Sequence, residues 1–185
     1  MKKYLILALA FVSTAVFTAC DKDDPEVEDP QELITTVNYT LTSTDGETVV
    51  FTFQDLDGDG GAEATITGGT LTADRTYTGS LELLDESDTN DVEDITEEIA
   101  EEDEEHQFFF SSTVAGLEVA YADADEMGNP VGLANTLTTG SAGSGVLTVI
   151  LRHEPVKDAE GVSAGDITNA QGETDIEVSF PVTVQ

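Results

Sequence analysis

Two histidines, His106 and His153, are the only imidazoles in the chain, and each stands beside glutamate. His106 follows Glu104 and Glu105, and His153 is followed by Glu154 and Pro155. Imidazole nitrogens and carboxylate oxygens are donors suited to zinc or copper, so His106, His153, Glu105 and Glu154 form a candidate metal set if the fold brings both histidines together. Two histidines can also ligate haem iron axially. The plainer alternative is a pair of surface histidines, each charge-paired with its neighbouring carboxylates. Spacing along the chain does not choose between these readings, because ligation depends on whether two distant strand ends become neighbours.

A second chemistry is written into Asp55-Leu56-Asp57-Gly58-Asp59-Gly60. Carboxylates at alternate positions followed by a glycine open a calcium-binding loop, in which hard oxygen ligands surround the ion and the glycine makes the sharp turn. The second half departs from an EF-hand, since Ile66 stands where a bidentate glutamate would close the shell. Asp55, Asp57, Asp59 and Glu63 are therefore the calcium candidates, set against a solvated Asp-Gly turn between two strands. Asp123 and Asp125, before Gly128-Asn129-Pro130, make a weaker second acidic turn of the same kind.

Catalytic arrangements are scarce. The stretch 140–145 lacks the G-x-S-x-G nucleophile pattern, and no glycine run matches a phosphate loop. Among 39 acidic residues, a pair spaced for glycoside hydrolysis carries no information. Without tryptophan, the chain has little aromatic platform for sugar stacking.

The elements that must position the histidines follow from composition. Ten of the fifteen residues in 91–105 are Asp or Glu, too dense a charge to bury, whereas Phe108, Phe109 and Phe110 are too apolar to leave in water. A solvated acidic connection must deliver the chain into a buried strand, with His106 at the threshold. Within that connection, Val92, Ile95 and Ile99 space one short helix with Asn90 as its cap, and residues 101–105 should leave it as a loop, because acids disfavour a helix C-terminus. One of the phenylalanines is expected on the outer face, beneath the acidic connection.

Elsewhere the period is two. Val37, Tyr39 and Leu41 alternate with polar residues, as do Val49, Phe51 and Phe53, and Asp45-Gly46 between them predicts a hairpin. Further strands are expected over 63–67, 75–84, 107–113, 117–122, 133–138, 146–153 and 175–184. The stretch 146–151 is apolar on both faces and should be central, while Pro181 should place 175–184 at an edge or bulge. About nine short strands with turn residues between them predict an all-β, immunoglobulin-like antiparallel β-sandwich with one short acidic helix or loop insertion.

The ends of the chain give an address. Lys2 and Lys3, an apolar run over 5–17 and the single cysteine Cys20 have the layout of a secretion signal. The Phe17-Thr18-Ala19-Cys20 ending resembles the lipobox of bacterial lipoproteins, which implies acylation of Cys20 and removal of residues 1–19. Asp21-Lys22-Asp23-Asp24 directly behind it resembles the Bacteroidota signal that sends lipoproteins to the cell exterior. Residues 20–32 should then be the acylated cysteine and an acidic tether, and 33–185 one β-sandwich domain. Loss of Lys2 and Lys3 leaves four basic residues against 39 acidic ones, a formal charge of −35. Such a field repels nucleic acid and attracts cations, and several acyl chains on one thiol supply the membrane link.

The mature chain also resembles a group of small outer-membrane lipoproteins of marine and flavobacterial (Bacteroidota) type. The likeness is carried by residues 53–61, 94–98 and 104–110, by Tyr121-Ala122-Asp123-Ala124-Asp125 with Gly128-Asn129-Pro130, and by Leu151-Arg152-His153-Glu154-Pro155. Such proteins are sometimes labelled type 1 periplasmic-binding folds, which require two α/β lobes that this strand-rich chain does not supply. The resemblance implies an address and an architecture, and no activity. The expected function is non-enzymatic: a lipid-anchored outer-membrane module that binds a metal ion or haem, or assists an outer-membrane transporter. The alternative is a structural or adhesive module made rigid by calcium.

Overall fold

The computed structural model describes residues 33–58 and 61–185. Cys20, the signal and the tether lie outside the described residues, as does Asp59.

Eleven strands and one helix are described: β1 (Thr36–Ser43), β2 (Thr48–Gln54), β3 (Thr65–Thr67), β4 (Gly69–Leu71), β5 (Thr76–Asp85), β6 (Glu93–Asp94), α1 (Ile95–Glu101), β7 (His106–Ser112), β8 (Glu118–Tyr121), β9 (Ala134–Thr138), β10 (Gly143–His153) and β11 (Glu173–Val184). One sheet runs β3-β2-β1-β5-β9-β8, with β6 added to β5. The other runs β4-β11-β10-β7, and its β4–β11 pair is parallel while the rest are antiparallel. The chain is thus mostly β, with two sheets packed against each other and one short helix.

Alternation explains the packing. Val37, Tyr39 and Leu41 of β1 and Phe51 of β2 point into one core with Phe108, Leu147, Val149, Leu151, Val178 and Phe180 of the opposite sheet. Aromatic rings cross the layer, Tyr39 to Phe110 at 6.1 Å and Phe51 to Phe180 at 5.7 Å between centroids. The hairpin forms at Asp45-Gly46 as the sequence predicts, with Gly46 at φ +90°, a conformation glycine takes at little steric cost.

Three expectations are corrected. Of the two placements expected for the strand carrying Pro181, the bulge is present, opposite Leu151 and Arg152 of β10, but the edge is not: β11 lies between β4 and β10. A carbonyl and the N–H of one strand residue point to the same side, and the Pro181 carbonyl faces Gly68, so the missing N–H faces the side on which β4 pairing begins only at Val182. The helix cap is Asp94, whose side chain accepts from the Thr96 N–H, and not Asn90; Ile95 and Ile99 are buried while Val92 stays exposed. Phe109 does face outward, but its cover is a small second core with Val162 and Ala170 from the 155–172 segment, not the acidic connection. The strands β4 and β6 were not foreseen, being three and two residues long and too short to show a period.

Candidate metal centre

The acidic connection ends as predicted. The Glu102 N–H bonds back to the Glu98 carbonyl to close α1, the Glu105 N–H bonds to the Glu102 carbonyl, and the chain enters β7 at His106. Pairing of β7 with β10 runs through Phe108 and Leu151 to a last cross-strand pair, His106 opposite His153. Both imidazoles lie at the end of the ladder, their rings stacked with centroids 4.8 Å apart and 16° between planes. The strand-end adjacency that a histidine metal site requires is therefore present.

The third member comes from β11 and was not foreseen. Along β11, Ile176 faces Leu151 and Thr174 faces Arg152, so Asp175 is the extra residue of a β-bulge. Simple alternation would set Asp175 with Glu177 and Ser179 on the polar face. The bulge re-aims it toward the histidines instead. Its Oδ2 lies 4.0 Å from His106 Nε2 and its Oδ1 4.0 Å from His153 Nδ1. No spacing in the sequence signals a bulge, which depends on how two strands keep register.

Burial at this place is deep and unsatisfied. The side chains of His106 and Asp175 are each 1 % exposed, and His153 is 16 % exposed. His106 Nε2 and both Asp175 oxygens have no hydrogen-bond partner. Burying a carboxylate without a partner costs several kcal/mol, on the order of 1–3 even for a neutral polar group, so such a cluster needs a reason. Burial accordingly pushes the Asp175 carboxyl up to about 6. It also pushes His106 below its ordinary value, against the opposing hydrogen bond to Glu102.

The tautomer of His106 is fixed by its surroundings. Nδ1 lies 3.1 Å from the Glu102 carbonyl oxygen, which can only accept, so Nδ1 carries the proton and donates it. In the neutral ring Nε2 then presents a lone pair toward Asp175. A backbone acceptor on the far nitrogen is the usual means of orienting a ligating histidine. His106, His153 and Asp175 each offer a donor atom within 4.8 Å of the others, and the group could hold a metal ion.

A second group of donors, Glu105, His153 and Glu154, also gathers within 4.8 Å, at the surface. The Glu154 N–H bonds to the Glu105 carbonyl, which ties the two strand ends together. Glu154 sits at φ +49°. The chain leaves through Pro155 and comes back through Gly172, where a Cβ would meet the His153 carbonyl oxygen at 2.2 Å, so only glycine lets the returning backbone come this close.

The other sequence candidates are placed differently. Asp55 is half-buried with its Oδ1 unpartnered, Asp57 accepts from the Ala62 N–H at 2.9 Å, and Glu63 is exposed. Among the described residues these three do not gather into a close donor group. In the second acidic turn the carboxylates are used as backbone staples. Asp123 accepts from the Gly132 and Ala134 N–H groups, both at 2.7 Å, and Asp125 from Met127 and Asn129. Asp125 also pairs with the buried Lys157 at 3.1 Å, and Lys157 donates in addition to the Asp103 carbonyl. Lys157 thus pins the acidic connection to the turn, a role that no sequence pattern announced.

Haem fits this geometry poorly, since rings stacked side by side do not face each other across a porphyrin plane. Among the described residues no helix is long and apolar enough to cross a membrane. No family model, curated protein or solved structure matches this chain.

Proposed function

We propose that the chain is a lipid-anchored, non-enzymatic module of the outer membrane that captures a divalent transition metal at His106, His153 and Asp175. The observation that carries this reading is a buried cluster of two imidazoles and one carboxylate with three donor atoms left unpartnered, one of them on a histidine whose tautomer is already set. Nitrogen and oxygen donors of this kind suit zinc(II) and copper(II). His106 Nε2 and His153 Nδ1, each 4.0 Å from an Asp175 oxygen, would hold the ion together with that carboxylate. Open coordination positions fall to water or to the passing ligand.

The address is supported by the sequence alone. The lipobox-like ending at Cys20, the acidic tether and the likeness to flavobacterial lipoproteins favour an acylated protein facing the cell exterior. The sandwich would be immunoglobulin-like in kind, a rigid stand on which the ends of β7, β10 and β11 hold the site. Handing the ion to an outer-membrane transporter is the role that suits such a stand.

Titration of the detergent-purified, acylated protein with zinc tests the reading. Saturation is expected at one equivalent, with the melting temperature rising by mass action, about 2.7 kcal/mol of stabilisation at a hundredfold excess over Kd. Neither His153→Ala nor Asp175→Asn should retain it. Undiminished binding in both variants would overturn the site.

Calcium at the 55–59 turn is the second reading, favoured by the unpartnered Asp55 Oδ1, and belongs to a structural or adhesive module. In that case calcium, and not zinc, raises the melting temperature, and Asp55→Asn with Asp57→Asn removes the gain.

A further inference from the structure

The buried cluster has a single side chain in appreciable contact with solvent. His106 and Asp175 are closed off, and only His153 is partly exposed, so a cation reaches the inner donors past the His153 ring. That ring faces two ways. Its Nδ1 lies 4.0 Å from Asp175 Oδ1 inside, and its Nε2 lies 3.9 Å from Glu105 Oε2 outside. Glu105, His153 and Glu154 gather on the outer side as His106, His153 and Asp175 do on the inner side. An acid-walled groove of about 430 Å³ is lined by residues 100–105 and Glu126, Glu105 among them.

We propose that Glu105, Glu154 and His153 Nε2 form an exchange position for a divalent transition metal, through which the buried site is loaded and unloaded. The inference rests on the capture reading above and adds a route to it. A neutral imidazole carries one proton and one lone pair, which decides how the two positions communicate. A cation held outside by Nε2 leaves the proton on Nδ1, pointing at Asp175. A cation held inside by Nδ1 leaves the proton on Nε2, pointing at Glu105. The two positions therefore exclude each other unless the ring is fully deprotonated. Transfer inward moves the metal bond from Nε2 to Nδ1, while one proton leaves Nδ1 and one arrives at Nε2, with no net change in protonation. The departing proton ends in solvent, since Asp175 must stay a carboxylate to ligate the ion, and Glu105 or solvent supplies the arriving one outside. His153 is thus the shared ligand whose tautomer records where the ion is. A site with such an exposed partner position exchanges its ion by a ligand-assisted path, where a merely closed site would have to open the strand ends.

Stopped-flow loading of the acylated, detergent-purified protein with zinc, followed by unloading into a chromophoric chelator, tests this. The variant is Glu105→Gln with Glu154→Gln; both side chains are exposed, so the fold is kept. Loading and unloading are expected to slow together by tenfold or more, leaving Kd within about threefold of wild type and the stoichiometry at one. Glu101→Gln with Glu104→Gln removes the same charge from the groove without touching the donor group, and should change either rate by less than about threefold. Unchanged rates in the first variant overturn the exchange position, as does an equal slowing in both variants, which would mean general attraction and not ligation. Two equivalents bound at once also overturn it. Failure of the capture reading has a different signature: wild-type protein that takes up no zinc, or His153→Ala that takes up as much as wild type.

Discussion

At the scale of single residues, the carboxylate of Asp175 is held out of water with neither oxygen hydrogen-bonded, and burial, with Glu173 beside it, raises it to about 6 against the opposing charges of His153 and Arg152. A group of this kind lowers the stability of the metal-free fold and lends its unmet demand to a ligand. Asp175→Asn should therefore melt higher than wild type at neutral pH without metal, by about 1–3 kcal/mol, while losing the stabilisation by zinc; calorimetry of both proteins with and without the ion checks both halves. Asp125 is the contrasting case. Its burial raises the carboxyl, but hydrogen bonds from Asn129 and from Lys157 outweigh that and hold it below the ordinary carboxylate range. A depressed folded value means stability that is present above the unfolded value near 4 and is lost as pH falls through the folded one. Acid melts of wild type should therefore lose this contribution below about pH 4, and Asp125→Asn should show a shallower loss over the same window. Lys157→Met strands a buried carboxylate and should cost about 3–5 kcal/mol in denaturant melts, toward the lower end because two backbone amides still hold Asp125.

At the scale of elements, the short helix shows how one acidic run can be both a surface and a lever. Ile95 and Ile99 bury one narrow stripe, and the Thr96 side chain exchanges hydrogen bonds with the Leu83 backbone of β5. Ile99→Ala should destabilise by about 2–5 kcal/mol, while Val92→Ala at the exposed position should stay within about 0.5 kcal/mol, as urea melts would report. The helix must end at Glu101 because the four further acids, 102–105, would oppose its C-terminal dipole, and that ending delivers the Glu102 carbonyl to His106 Nδ1. Helix termination and histidine tautomer are therefore one event. The bulge in β11 does the equivalent work on the other side, converting a polar-face position into a buried donor.

At the scale of the whole molecule, a chain of formal charge −33 has, among the described residues, a core that is itself apolar. The field raises the local concentration of cations and speeds their arrival, and salt screens it over roughly 8–10 Å at physiological strength. Zinc loading should therefore slow severalfold as ionic strength rises from about 10 to 150 mM, while unloading, which starts from an ion already bound and passes the Glu105–Glu154 position, stays nearly constant. Stopped-flow traces across a salt series distinguish the two.

Period-two alternation and turn residues determined most of the strands, the first hairpin and the central place of β10, because a half-buried strand must alternate whatever it packs against. The acid run followed by three phenylalanines likewise determined that His106 stands at the threshold of a buried strand, since charge and apolar surface cannot share one environment. Tertiary structure alone decided that His153 lies opposite His106, that Asp175 turns inward, and that Lys157 anchors the connection. The first two depend on register between strands far apart in the chain, a property of the assembled sheet that no single segment encodes, and the third on connections that only the packed fold brings together.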